Sequence, residues 1–78
     1  MTLRELRPGQ SARIEKVDAR QPGVIRLMVL GLIEGADIQY ANSAIGGDPM
    51  EVTVFGTSIS VRKQQAANFS ISPITTNV

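Results

Sequence analysis

With 78 residues, a formal net charge of +1, and neither cysteine nor histidine, the chain falls outside several function classes at once. It has no thiolate or imidazole to hold a transition metal or serve as nucleophile or base, and it has no disulfide framework. It also carries too little positive charge to bind nucleic acid by neutralising many phosphates.

A chain this short buries only about 60–65% of the surface its unfolded form exposes, so a partner or self-association would help it. The 42% hydrophobic content is that of an ordinary folded domain. Residues 1–26 hold six basic and three acidic side chains, and residues 27–78 hold two and four. That mild polarity is one a sheet easily folds back on itself. No signal-peptide pattern stands at the start, and the absence of cysteine fits a reducing compartment.

In chain order, Leu3 and Leu6 are spaced as anchors of a single turn, and Pro8-Gly9 is a turn signal. Ala12, Ile14 and, after a slip of one residue, Val17 point one way, while Ser11, Arg13 and Glu15 point the other. That alternation predicts a half-buried strand with a bulge, or its end, at the slip. Asp18 to Gly23 is a loop.

Val24 to Gly35 is nearly continuous hydrocarbon, broken only by Arg26 and Glu34. Spanning a membrane takes about 20 apolar residues, so no direct membrane insertion is expected. Pro22 suits a first helical turn, and Gly31 suits the left-handed residue that ends a helix. We therefore predict a helix from Pro22 to Leu30. Leu27 and Leu32 would pack together at its stop, and a type II turn on Glu34-Gly35 would follow.

Ala36, Ile38 and Tyr40 alternate with Asp37, Gln39 and Ala41 as a second strand, its aromatic turned inward. Asn42 to Pro49 reads as a long loop or hairpin tip. Met50, Val52 and Val54 alternate with Glu51, Thr53 and Phe55. Gly56-Thr57 reads as a tight turn, and Ile59 and Val61 continue the alternation as a fourth strand. Lys63 to Ala67 is a polar single turn, and Phe69 and Ile71 form a last short strand.

These elements predict a mainly β fold with a short inserted helix, an SH3-like small barrel over residues 1–72 with a flexible tail at 73–78. Val24, Leu27 and Met28 would plug its open side.

With those residues placed, the chain resembles the FeoA family of small cytoplasmic proteins associated with bacterial ferrous iron transport, so a cytoplasmic location is what the resemblance implies. The likeness runs from Leu3 to Ile71. It is carried by Leu-x-x-Leu-x-x-Gly at Leu3, Leu6 and Gly9, by Leu30-Gly31-Leu32 followed by Gly35, and by Gly47-Asp48-Pro49. The run Gly56 to Lys63 ahead of Ala66 completes it.

The resemblance implies an accessory, non-enzymatic role beside FeoB, the membrane ferrous iron transporter with a cytoplasmic GTP-binding domain. It also implies a likeness to the SH3-like domains of iron-dependent transcription regulators. A regulatory or oligomerisation module of that kind is the alternative function. A proline-peptide SH3 groove would need clustered aromatics, and Tyr40, Phe55 and Phe69 are dispersed.

The carboxylates are scattered. Glu34 with Asp37, or Asp48 with Glu51, offers at most a weak adventitious site, so no metal or cofactor is expected. Arg26 and Arg62 stand near structured corners, where an arginine acting in trans on a GTPase would have to sit, yet a plain surface charge is the simpler reading of each. A helix apolar almost all round has a face left over. The expected partner-binding residues are therefore Ile25, Val29 and Ile33 with the adjoining Glu34. To these are added Asp48 and Pro49 at the hairpin tip and Arg62 at a strand end.

Overall fold

The structure, a computed structural model, describes residues 1–74. Five antiparallel strands make one sheet: β1 (Ser11–Val17), β2 (Asp37–Ser43), β3 (Met50–Val54), β4 (Thr57–Val61) and β5 (Phe69–Ile74). Their order across the sheet is β4-β3-β2-β1-β5. Helix α1 (Val24–Val29) lies between β1 and β2, and the single turn α2 (Lys63–Ala66) joins the two outer strands β4 and β5. The inward residues of all five strands, from Ala12 and Ile14 to Phe69 and Ile71, meet in one apolar cluster with Val24, Leu27 and Leu32. A single core served by every strand of a five-stranded sheet requires that sheet to curl, as a small barrel does.

The slip before Val17 is a bulge: Ile14 pairs with Ile71 and Lys16 with Ser70, leaving Glu15 extra. A second irregularity, between Tyr40 and Asn42, has no mark in the alternation. It carries β2 on to Ser43, so the predicted loop from Asn42 shortens to residues 44–49. The peptide between Asp48 and Pro49 is cis.

Three expectations are corrected. Helix α1 begins at Val24, not Pro22, because Gly23 takes φ 85° at the N-cap and holds Pro22 in the preceding turn. The tight turn is Phe55-Gly56, not Gly56-Thr57. Val54 pairs with Thr57, and a two-residue turn of this hand needs positive φ at both centres. Phe55 has φ 50° and Gly56 φ 75°, a conformation that would cost β-branched Thr57 more. The last strand continues past Ser72 through Pro73 to Ile74, pairing with Ser11 and Ala12; residues 75–78 of the expected tail lie outside the described residues.

The helix stop forms as the sequence reading has it. Leu32 N–H donates to Leu27 O at 3.0 Å and Gly31 N–H to Met28 O at 3.0 Å, the paired bonds of a Schellman motif. Leu27 and Leu32 are both buried beside them. The type II turn follows, closed by Ala36 N–H to Ile33 O at 3.1 Å with Gly35 at φ 85°. Gly35 N–H then reaches Ile14 O at 2.7 Å and Ile14 N–H reaches Ala36 O at 2.9 Å. The corner is thereby stitched to β1, and α1 is set over the core.

Gly31 has φ 124°, and a Cβ there would lie 3.2 Å from the Phe55 ring and 3.4 Å from Val54 Cγ1. Gly31→Ala should therefore lose about 1–3 kcal/mol in urea unfolding. Gly35→Ala, equally left-handed but with open space around it, should lose about 1 kcal/mol.

The Arg20 side chain and backbone donate to Asp18 and hold its carboxyl down at about 2 against an ordinary 3.8. Glu5, accepting from the Thr2 N–H, is lowered as well. A carboxyl whose folded pKa is depressed stabilises fully above its unfolded value and loses that contribution as pH falls toward the folded one. The chain should therefore lose more stability between about pH 4 and about pH 2 than Asp18→Asn does, as followed by urea midpoints.

Candidate functional site

Helix α1 has one turn and a half to divide between core and solvent. At 100° per residue, Val24 and Leu27 fall on one side with Met28 at its margin, and the other positions face away. Val24 and Leu27 are buried, and Met28 packs at the edge of the cluster. Burial of the first two stabilises by about 1.5–3 kcal/mol each.

On the outer side Ile25 is 62% exposed and Val29 81%, with Ile33 at 42% in the corner that follows. Glu34 is exposed beside Ile33, in a central position of the type II turn. These four therefore belong to one stretch of surface, α1 and its corner. Arg26 is also exposed on α1.

The other three expected site residues gather elsewhere. Asp48 Oδ1 accepts the Lys63 backbone N–H at 3.0 Å, satisfying the first free donor of α2 from a different loop. Pro49 is half-buried next to the Met50–Val61 pair, and Arg62 is the exposed residue that starts α2. The Arg62 backbone N–H reaches Gln65 Oε1 at 3.2 Å. The hairpin tip is thus tied to the β4-to-α2 corner, and the Asp48 carboxylate acts first as a structural anchor.

Two exposed apolar residues next to the α1 surface escape the sequence reading. Leu30, 49% exposed, follows the last helical residue. Phe55, 72% exposed, lays its ring against Gly31. Alternation alone sends Phe55 outward as one more strand residue. The usable signal was Phe-Gly standing where a two-residue hairpin prefers Asn-Gly, an aromatic held in a backbone region it disfavours. Ile45, at the hairpin tip, is fully exposed.

The polar chemistry of the surface is spent locally. Asp37 holds Arg13 across the β1–β2 pair at 2.9 Å, Glu51 accepts the Ser58 hydroxyl at 2.9 Å, and Asp48 is tied to Lys63. The pairs Glu34 with Asp37 and Asp48 with Glu51 are each already engaged through at least one member. Among the described residues no three acidic side chains gather into a metal-binding group, and no helix is long and apolar enough to cross a membrane.

Known proteins with this geometry are consistent with one another. Iron(II) transport protein A from Clostridium thermocellum superposes with a TM-score of 0.86 at 27% identity, over 95% of this chain and 46% of that one. This chain thus spans about half of that relative's length. The FeoA protein of Chlorobium tepidum gives 0.86 at 34% identity, over 100% of this chain and 74% of that one.

The zinc-complexed FeoA of Stenotrophomonas maltophilia gives 0.80 at 29% identity, over 92% and 89%. It is described as a procaryotic SH3 domain protein and a candidate ferrous iron transport activating factor. The same fold also matches 34% of the IdeR chain of T. acidophilum, with a TM-score of 0.80 at 25% identity over 95% of this chain. Comparison with curated sequences gives no match. The family model described as the FeoA domain matches residues 1–73. The chain belongs to the FeoA family, a family linked to ferrous iron transport.

Proposed function

We propose that this chain is a non-catalytic accessory protein of ferrous iron uptake. It works in the cytoplasm by docking on the cytoplasmic portion of a FeoB-type transporter, the membrane iron carrier with a GTP-binding domain. The observation that carries the reading is the outward apolar face of α1. Ile25 and Val29 stand exposed on a helix whose other side is committed to the core. Water-facing aliphatic side chains on a fixed helix are what a partner surface buries at low entropic cost. Glu34 and Ile33, just beyond the helix stop, extend the contact. Asp48, Pro49 and Arg62 form a second, polar contact at the start of α2.

A second reading has its own observation. The likeness to part of the regulator IdeR favours a regulatory or self-associating module, in which the same apolar face would meet another copy.

Ile25→Glu and Val29→Glu test both. These exposed positions should change unfolding free energy by no more than about 0.5 kcal/mol. Each should weaken binding to the transporter's soluble domain at least tenfold in calorimetric titrations run with GDP and with a GTP analogue. Wild-type chain that ignores that domain in both nucleotide states, yet dimerises in sedimentation unless Val29 is charged, would favour the second reading. Leu27→Ala is the contrast, losing about 2–5 kcal/mol of stability because its site is core.

A further inference from the structure

The two edges of the sheet are treated differently. An unpaired edge presents N–H and C=O groups to any passing strand, and proteins blunt it with cover, charge, proline or a bulge. The β5 edge is covered: Ile71 N–H donates to Met1 O at 2.9 Å, and Thr2 bridges Ser70. The β4 edge has no paired segment, charge, proline or bulge. Thr57-Ser58-Ile59-Ser60-Val61 carries no charge and no proline, and its register with β3 runs unbroken from Val54–Thr57 to Met50–Val61.

Which backbone groups face outward follows from the turn. In a two-residue hairpin the flanking residues, here Val54 and Thr57, exchange both hydrogen bonds, and the pattern alternates along the ladder. Thr57, Ile59 and Val61 therefore bond to β3. Ser58 and Ser60 turn their N–H and C=O groups away from it. Neither backbone has another partner among the described residues. Four main-chain groups at strand spacing are left free.

They do not face open water. Ser58, Ile59 and Ser60 form one side of a groove of about 300 Å³, whose other side is Arg26, Leu27 and Leu30 of the α1 region. That volume sits at the lower limit for small-molecule pockets and suits the side chains of a strand laid along the edge. The only charge in the lining is Arg26, which makes no ion pair among the described residues.

From these observations we infer that the β4 edge is a strand-addition site for an extended segment of a partner protein. Main-chain bonds to Ser58 and Ser60 hold the segment, an apolar side chain packs on Leu30, and a carboxylate meets Arg26. Recognition of this type draws affinity from the backbone and selectivity from alternate side chains. This surface lies on the Arg26–Leu30 flank of α1. Ile25 and Val29 lie on the neighbouring flank, about 100° round the helix, so each contact can be changed by its own substitutions.

The test is a two-dimensional amide NMR titration of the full chain with the peptide acetyl-Thr-Val-Thr-Glu-Thr-amide, whose Val and Glu share one face of the strand, taken to millimolar concentration. Shifts should centre on Ser58, Ser60, Arg26 and Leu30, and Ile25→Glu should leave them unchanged. The same peptide with every amide N-methylated should bind about tenfold more weakly or not at all. A lysine-for-glutamate peptide should also lose affinity, and Arg26→Glu should reverse that preference. Ser60→Pro removes an outward N–H while sparing the β3 bonds, and it should abolish the shifts. The inference is overturned if no shifts appear, if they survive N-methylation, or if they fall on Ile25 and Val29. Concentration-dependent changes at Ser58 and Ser60 without peptide would also overturn it, by showing a second copy on the edge.

Discussion

The five-stranded sheet turns one apolar face inward, and the helix laid over that core depends on two hydrogen bonds at Gly31. The bonds from Leu32 to Leu27 and from Gly31 to Met28 end α1 after six residues and reverse the chain within a few more. Isolated helices this short do not persist in water. What holds α1 is tertiary: Val24 and Leu27 enter the core, Leu32 follows them, and the corner beyond is bonded to Ile14 of β1. Removing the stop would let the helix run on past the core it covers.

The same constraint produces the outer surface. A helix short enough to be stopped this sharply offers only two or three positions to the core, and the rest must face elsewhere. The chain fills those other positions with Ile25, Val29 and Leu30, and lays Phe55 against the stop itself. Phe55 accepts a positive φ to reach that place, at a cost of order 1–3 kcal/mol that asparagine would avoid. Strain held at an exposed aromatic next to a helix stop fits a surface used for contact. Alongside it the β4 edge keeps its backbone groups free, while the β5 edge is covered by the first two residues. The FeoA family is linked to ferrous iron transport, and the residues give these surfaces their chemistry.

Much of the architecture was legible from local pattern. Alternation located all five strands because each has one buried face, and the slip before Val17 marked a true bulge because it moved an apolar residue by one place. Gly31 and Gly35 announced the corner, since both need backbone angles that side chains resist. What stayed hidden depends on contacts between distant segments. The bulge at Ala41 leaves no trace, because Ala41 and Asn42 suit either face. Asp48 looked like a recognition residue, and only the meeting of the hairpin tip with Lys63 shows its structural work. Phe55 fitted the strand pattern so well that its place in the turn was masked. The helical face of the candidate site could be anticipated from an excess of apolar residues on a short helix. The β4 edge could not, because an edge is defined by which strands fail to pair.

Native-state amide hydrogen exchange at Leu32 tests most directly whether α1 is an integral lid. If the lid and the sheet form one cooperative unit, the Leu32 amide should exchange only on global unfolding, with the same opening free energy as Val52, fully buried in the middle of β3. Exchange at Leu32 several kcal/mol easier than at Val52, with the sheet still protected, would show α1 to be a detachable flap and contradict the account.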